Sequence, residues 1–327
     1  MKTLFVNKSK ACLALLFSIL LCVSFALSGC TQNTNPPSLP DPKISTPNII
    51  TEGTLTVGVN TSLSPLAGMG NNKIIGIDVD VAAALADYLG LKLQIIDTGS
   101  SPASALTGNS VDIALGVDST DTPKGARLTE SYIDTGVALF VPESSSASAP
   151  ESGSSPKISA QTSSKSSWAV TNTFGNASLV GASDLNSAIS SLTSNQATYL
   201  ASDAVIGKYA TTRASVKTKI VALLDNKSGY CVAISESKTE LYSKISEALS
   251  ELKANGTIDV IQKKWLGDVI DLSSVSKVQK SAAATEEPIS ANTTNNDSAS
   301  SSSNSGSSNS TTNSENVATD ASEIRSR

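Results

Sequence analysis

Short strand-like runs alternate with longer helix-like runs between residues 53 and 267. The first strand pattern is TLTVGV, and the run DVDVAAALADYL follows it with apolar residues at helical spacing, at Val79, Ala82, Ala83 and Ala86. Strands that alternate with helices predict an α/β fold in which helices cover parallel sheets. A Ser/Pro-rich loop at 143–156 interrupts the alternation, so the sequence predicts two α/β lobes.

The last part of this region favours helix strongly. The run KTELYSKISEALSELKANG places apolar side chains on a single stripe, at Leu241, Ile245, Leu249 and Leu252. The run TIDVIQKKW follows it and ends the folded core. In open α/β sheets ligands bind beyond the carboxyl ends of the strands, so two such lobes predict a ligand cleft between them.

The N-terminal segment has the features of an export signal. Lys2, Lys8 and Lys10 precede the uncharged run ACLALLFSILLCVSFAL, and the small residues of LSGC come next. This order is typical of a secretory signal peptide, which we assign to residues 1–29. A retained transmembrane anchor is the alternative, although the apolar run is near the lower length limit for spanning a bilayer.

Leu27-Ser28-Gly29-Cys30 resembles a bacterial lipobox. The resemblance implies cleavage before Cys30, acylation of that cysteine and anchoring by membrane lipid on the outer face of the cell membrane. More than one acyl chain gives stable anchoring. Cys12 and Cys22 leave with the signal, so Cys231 remains alone and no internal disulfide is expected. The strand pattern GYCVAIS predicts that Cys231 is a small buried hydrophobe.

Two terminal segments have compositions that oppose folding. Residues 30–48 are rich in Pro, Asn, Ser and Thr and are predicted to form a flexible tether. Residues 273–327 are dominated by Ser, Asn and Thr, and we expect a disordered tail there because they offer little apolar surface to bury.

Charge and composition exclude several classes of function. The formal charge is −5, and it becomes −8 when the three lysines of the signal are removed. A nucleic-acid partner is therefore not expected, since it requires clustered basic residues. The chain has no histidine, which excludes histidine-based catalysis and His-ligated metals. We predict no cofactor and no metal, and a monomer.

The chain contains, in this order, the segments GTLTVGVNTSLSPL, GIDVDVAAALA, ALTGNSVDIALG, SDAVIGKYA and LKANGTIDVIQKKWLG. Together they resemble bacterial extracellular solute-binding proteins of family 3, the receptors of polar amino acid ABC transporters. GIDVDVAAALA is similar to the family form G-F-D-V-D-L-A-x-A-I-A, and LKANGTIDVIQKKWLG is similar to L-x-x-x-G-x-x-x-x-I-x-x-K-W-F-G. The resemblance implies a two-lobed, type II periplasmic-binding-protein-like fold with two hinge strands and a ligand cleft between the lobes.

The resemblance also implies where the lobes divide. YIDTG (132–136) would be the first hinge, and the chain would return near 226–230. Lobe 1 is then 49–133 plus 229–268, and lobe 2 is 135–226. A small ligand would close the lobes, and the closed protein would dock on an ABC permease.

Family members that bind α-amino acids hold the ligand's ammonium with an aspartate and its carboxylate with an arginine. Asp203 stands at the aspartate position, and Ser202 beside it is a further candidate for contact with the ligand. The alternative is that Ser202 or Asp203 caps the following helix. Lys124 falls where the family has arginine, and lysine lacks the two-pronged geometry that suits a carboxylate. Arg127 would serve only if its loop were remodelled.

Other expected ligand contacts depart from the family. Gly116 and Asn60 stand at ligand-lining positions, and Asp118 or Ser119 replaces a threonine. An acid there favours a cationic ligand. At three places where the family has aromatic ligand contacts this chain has no aromatic residue, namely Leu63, Leu66 and the residues near Gly99.

Ser163 and Ser164 occupy the start of a predicted helix, where free N–H groups favour an anion. Ordinary helix capping is the alternative for both serines.

The resemblance therefore predicts a substrate-binding lipoprotein of an ABC importer that binds an amino acid or a related small amine. Two alternatives remain open. A sensor or surface lipoprotein on the same fold would account for the long tail. A dehydratase-like enzyme is also known on related folds, but the missing histidines and arginine oppose it.

Overall fold

The computed structural model describes residues 40–101, 103–121 and 123–279. The predicted signal peptide, Cys30, the first part of the tether and the tail beyond 279 lie outside the described residues. Within the described ranges, no helix combines the length and apolarity needed to cross a bilayer.

The first sheet has the strand order β4-β1-β5-β13-β6, with β7 also paired to β13. Its strands are β1 (Thr54–Val59), β4 (Lys92–Asp97), β5 (Ile113–Asp118), β6 (Ala126–Leu128), β7 (Ile133–Thr135) and β13 (Ser228–Ser235). Strand β1 runs parallel to β4, with Thr54 opposite Lys92, and parallel to β5, with Val57 opposite Ile113. A hairpin of β2 (Gly68–Gly70) and β3 (Lys73–Ile75) lies outside this sheet.

The second sheet has the order β10-β9-β11-β8-β12. Its strands are β8 (Val137–Pro142), β9 (Ile158–Gln161), β10 (Leu179–Ala182), β11 (Tyr199–Asp203) and β12 (Thr218–Leu223). Strand β9 runs parallel to β10 and β11, while β8 is antiparallel to β11 and β12. The Ser/Pro-rich loop at 143–156 connects β8 to β9 without forming a strand.

Both sheets contain the predicted parallel strands, but each also contains antiparallel pairs that were not predicted. The antiparallel members are the strands next to the two crossings between sheets. The chain leaves the first sheet after β7, passes Gly136 and enters the second sheet as β8. It returns through 224–227 between β12 and β13. The α/β, two-lobed fold class is confirmed.

Asp225 holds the two crossings together. The backbone N–H of Val137 in the first crossing donates to Oδ1 of Asp225 in the second, at 2.7 Å. Thr135 and Ser228 are also paired across β7 and β13. The two chain segments that join the sheets therefore lie side by side.

Helices cover both sheets. They are α1 (Ile77–Leu89), α2 (Ser104–Thr107), α3 (Lys165–Phe174), α4 (Leu185–Thr193), α5 (Ala204–Arg213), α6 (Thr239–Ala254) and α7 (Thr257–Leu266), with a 3₁₀ turn at Asn176–Ser178. The predicted stripe of α6 is confirmed, since Leu241, Ile245, Leu249 and Leu252 are all buried.

The predicted apolar face of α1 is confirmed at two of its four positions, since Ala82 and Ala86 are buried while Val79 is half-buried and Ala83 is exposed. The rest of the buried face comes from larger side chains, among them Leu85 and Leu89. The helix begins at Ile77, and its larger aliphatic side chains bury more apolar surface than the alanines do, so they determine which face packs on the sheet.

The apolar core divides between the sheets. A large cluster joins the first sheet to α1, α6 and α7, and two smaller clusters lie on the two faces of the second sheet. Cys231 on β13 is free and buried, as the sequence predicted.

The start of the expected disordered tail was placed too early. Residues 270–278 cross from α7 to the second sheet, where Leu272 is buried on one face and Val278 on the other. Leu223 of edge strand β12 donates its N–H to the carbonyl of Ser276 at 3.0 Å and accepts from the N–H of Val278 at 2.8 Å. Three apolar side chains among the serines, at 272, 275 and 278, give this segment enough surface to pack.

Candidate ligand-binding site

A cavity of about 660 Å³ lies where the parallel strands of the first sheet end. Asn60 follows β1, Ser100 and Ser101 follow β4, and Asp118 ends β5, and all of them line the cavity. This is the position at which open α/β sheets bind ligands, and the volume is in the range of small-molecule sites. The remaining lining residues are Leu63, Ala103, Ser104, Gly116, Val117, Thr120, Asp121, Pro123, Lys165 and Tyr230.

The loop after β5 presents acids and hydroxyls to the cavity. Oδ1 of Asp118 accepts hydrogen bonds from the backbone N–H and the hydroxyl of Thr120, both at 2.9 Å. Ser119 ties the loop to β13, because its N–H donates to the carbonyl of Gly229 at 2.8 Å and its Oγ accepts from the N–H of Gly229 at 3.1 Å. Ser119 thus makes structural hydrogen bonds to β13, while Asp118 faces the cavity.

The backbone of Gly116 lies so close to Asp78 that any amino acid with a side chain would clash there. Its φ is 74°, and a Cβ at this position would lie 2.6 Å from Oδ2 of the buried Asp78. The N–H of Gly116 donates to the hydroxyl of Tyr132 at 2.9 Å. That hydroxyl donates to Oδ1 of Asp78 at 2.5 Å. The cavity wall at Gly116 is therefore hydrogen-bonded to the buried pair of Tyr132 and Asp78.

Burial sets the protonation of this pair. It raises the pKa of the Asp78 carboxyl to about 7, against the opposing effect of the Tyr132 hydrogen bond. Burial, followed by the neighbouring Asp78, also raises the pKa of the Tyr132 hydroxyl.

Asp203 lies at the junction of β11 and α5 and caps the helix. Its Oδ1 accepts from the N–H groups of Val205 and Ile206, at 2.9 and 3.0 Å. Its Oδ2 accepts from the hydroxyl of Thr135 at 2.6 Å and from that of Tyr230 at 3.2 Å. The capping interpretation is confirmed, and the carboxylate stands directly behind Tyr230, which lines the cavity.

Burial shifts the pKa values of both the Asp203 carboxyl and the Tyr230 hydroxyl. Burial raises the pKa of the Asp203 carboxyl, although the four hydrogen bonds that it accepts act in the opposite direction. Burial and then the carboxylate of Asp203 raise the pKa of the Tyr230 hydroxyl, with a further contribution from Asp118. Two carboxylates therefore lie close to this hydroxyl at the cavity wall.

Lys165, the first residue of α3, brings the second lobe to the cavity. Its Nζ lies 3.6 Å from Oδ2 of Asp118 in the first lobe and 3.6 Å from Oδ2 of Asp225 in the second crossing. Among the described residues that line the cavity, it is the single cation and the single contribution of the second lobe.

The other predicted serines have structural partners. Ser164 caps α3 in a capping box, in which its Oγ accepts from the N–H of Ser167 and Ser167 reciprocates. Ser163 is exposed in the preceding turn with a φ of 57°. Ser202 is buried within β11. None of these three is among the described residues that line the cavity.

The predicted basic residues are not brought to the cavity wall. Lys124 is exposed in the same loop as Asp121 but is absent from the described lining. The guanidinium of Arg127 stacks 3.8 Å from the centre of the Tyr242 ring, on the side of α6. Asn60 lines the cavity, and its Oδ1 accepts from the N–H of Ser62 at 3.0 Å.

Sequence reasoning missed Tyr230, Lys165 and the cluster at 100–104. Tyr230 was assigned to a strand without a role, and only its position beside the second crossing pointed to the cleft. Lys165 is next to the predicted serines, but the direction of its side chain depends on the residue at which α3 begins. The serines follow β4 in a loop whose sequence carries no distinctive motif.

The sequence pattern of the bacterial extracellular solute-binding proteins, family 3, matches residues 55–268. The chain belongs to this family. Its described residues contain no cluster of three or more His, Cys, Asp or Glu side chains arranged to hold a metal ion.

This chain is similar to the L-cystine-binding protein TcyA of Bacillus subtilis strain 168, with 23% identity over 222 residues. That match covers 66% of this chain and 82% of the relative.

Two solved structures share the fold. A polar amino acid ABC uptake transporter substrate-binding protein from Streptococcus thermophilus has a TM-score of 0.60 and 21% identity, over 67% of this chain and 88% of that one. The L-cystine solute receptor of Neisseria gonorrhoeae, in an unliganded open conformation, has a TM-score of 0.57 and 24% identity, over 67% and 94%.

Proposed function

We propose that this family member is the extracytoplasmic receptor of an ABC importer and binds an amino acid or a related small amine between its lobes. Lobe closure over the ligand would then present the protein to a membrane permease, which takes the ligand up. Binding, rather than chemical conversion of the ligand, is the activity that we assign to it.

One observation carries this proposal. The cavity lies at the carboxyl ends of β1, β4 and β5, and its polar wall carries Asp118 and Asp121, with Asp203 behind Tyr230. Convergent acids in a partly desolvated cavity attract an ammonium group. Asp203 was predicted to bind this group, and in the proposal it contributes the more deeply placed of the negative charges.

The test is a thermal-shift screen of the purified full chain against the standard amino acids, L-cystine, polyamines and small cations. L-Cystine is included because two relatives at 23% and 24% identity are named for it. A ligand at a hundred times its dissociation constant stabilises a protein by about 2.7 kcal/mol, which a melting curve detects readily. If no amino acid or amine shifts the melting temperature, the proposal is wrong.

Lipid anchoring belongs to the same proposal. We infer that Cys30 is acylated and that the mature protein is held on the outer face of the cell membrane. Cys30→Ala should appear in the medium or as an uncut precursor when cells are fractionated, whereas Cys231→Ala should fractionate as the unaltered protein does. If Cys30→Ala stays in the membrane as a processed protein, the lipobox assignment fails.

A receptor that signals instead of transporting is the second candidate, and the Ser/Asn-rich C-terminal sequence supports it. Uptake assays in cells that lack the protein separate the two, because loss of uptake of the bound compound requires the transport role. Incubating the protein with the bound compound and analysing the products by mass spectrometry tests the dehydratase alternative.

A further inference from the structure

The charges of the cavity are divided unequally between the lobes. Asp118 and Asp121 come from the first lobe, and Lys165 comes from the second. The contact between Nζ of Lys165 and Oδ2 of Asp118, at 3.6 Å, is an ion pair across the cleft, which we call the interlobe pair.

The interlobe pair contributes too little to the stability of the fold for that to explain its presence. Lys165 begins α3, where the helix dipole disfavours a cation. Its side chain is 61% exposed, and ion pairs with such an exposed member add little to the stability of a fold. The separation also exceeds the roughly 2.8 Å of a well-formed charged hydrogen bond. The pair can therefore open at little cost.

Asp118 is held so that one of its oxygens remains available. Oδ1 is fixed by the N–H and the hydroxyl of Thr120, both at 2.9 Å. Oδ2 faces Lys165 and otherwise receives only a long contact, at 3.4 Å, from the hydroxyl of Ser228. The carboxylate is thus oriented before a ligand arrives, which lowers the entropy that binding costs.

We infer that Lys165 and Asp118 hold the two charged ends of a zwitterionic α-amino acid, which inserts into the interlobe pair. The ligand's carboxylate takes Lys165 and its ammonium takes Asp118, so one weak ion pair is replaced by two. This inference rests on the proposed function and narrows its ligand class. It also assigns the carboxylate to Lys165 rather than to Lys124.

The exchange discriminates against ligands that carry a single charge. An amine without a carboxylate competes with Lys165 for Asp118 and leaves the lysine with Asp225 alone. An N-acylated acid recruits Lys165 but leaves Asp118 unpaired in the cavity. Specificity comes from these lost pairings as much as from the new contacts.

The experiment measures affinities of the full chain by calorimetry, using as probes the standard amino acids, L-cystine and cystamine. The amino acid that binds most tightly is compared with its α-decarboxylated amine and its N-acetyl derivative. Cystamine is that amine for L-cystine. The variants are Lys165→Gln and Asp118→Asn, and Lys217→Gln is the control because Lys217 is an exposed lysine of the same lobe away from the cavity.

We expect Lys165→Gln to weaken binding of the amino acid about 10- to 100-fold, as the loss of a charged hydrogen bond does, without weakening binding of the decarboxylated amine. Asp118→Asn should weaken both probes, and Lys217→Gln neither. If Lys165→Gln binds the amino acid as well as Lys217→Gln does, or if the amine binds the unaltered protein more tightly than the amino acid, this inference is overturned and the proposed function stands. If no amino acid or amine binds the unaltered protein, both are overturned.

Discussion

The hydroxyl of Tyr132 donates a 2.5 Å hydrogen bond to the buried carboxyl of Asp78, which joins the start of the first crossing to the first turn of α1. The same hydroxyl accepts from Gly116 at the cavity wall, at 2.9 Å. A helix, a crossing strand and the ligand cavity therefore meet at two side chains.

This pair makes stability depend on pH. Asp78 has a pKa of about 7 in the folded protein and 3.8 as the ordinary value that the unfolded chain approaches. The folded state thus binds more protons between these pH values, so the contribution of Asp78 to stability falls as pH rises through this window. Above about pH 7 the loss is complete, and it amounts to at most about 4 kcal/mol.

We expect Asp78→Asn to remove this dependence, because asparagine keeps an oxygen for Tyr132 and has no charge. Urea unfolding at intervals from pH 4 to 8 measures it: the stability of Asp78→Asn relative to the unaltered protein should increase with pH. A constant difference across the range would show that Asp78 does not titrate there.

Gly116 should be intolerant of a side chain for a reason other than its φ. Gly116→Ala places a Cβ 2.6 Å from Oδ2 of Asp78, whereas Gly125, with a similar φ of 73°, has no atom within 4 Å of its Cβ position. Gly125→Ala therefore carries only the backbone penalty, about 1–2 kcal/mol. In urea unfolding Gly116→Ala should lose clearly more stability than Gly125→Ala, and equal losses would remove the role of the close approach.

Asp203 combines a cap with a predicted role in binding. Asp203→Asn retains an oxygen that can cap α5, so we expect its ligand-free melting temperature to stay close to that of the unaltered protein while affinity for a cationic group falls at least about tenfold. Asp203→Ala should lose affinity and about 1 kcal/mol of helix capping as well. Normal affinity in Asp203→Asn would leave the residue with a structural role alone.

The segment 270–278 should contribute to stability. A chain ending at Asp268 loses the buried Leu272 and Val278, and we expect its unfolding free energy to fall by about 2–5 kcal/mol. A chain ending at Lys280 is the matched control and should melt like the full chain. If both truncations melt alike, the packing of this segment is energetically irrelevant.

Much of the fold could be predicted because hydrophobic spacing reflects burial directly. The stripe from Leu241 to Leu252 is an example, and the order of strands and helices followed the same logic. The face of α1 was predicted only in part, at Ala82 and Ala86, because alanines bury too little surface to determine the whole face. The segment 270–278 was missed because three aliphatic residues are hidden in a serine-rich composition.

The candidate site was less predictable. Asp118, Gly116 and Asn60, which line the cavity, were identified through the family resemblance, because they stand at ligand-lining positions of the family. Lys165 reaches the cavity from the second lobe, and Tyr230 reaches it from β13, where it lies opposite Asp118 of β5. The position of Lys165 depends on how the two sheets face each other, and that of Tyr230 depends on the pairing of distant strands. Local sequence encodes neither.

The path of residues 270–278 places the two ends of the described chain on different lobes. The chain near Pro40 and Lys43 lies against the end of α1, and the chain near Val278 lies against β12. Fluorophores attached near these ends would therefore report on closure through energy transfer, without touching the cavity. Because the N-terminal side carries the proposed anchor, the first lobe is the one that the tether would link to the membrane.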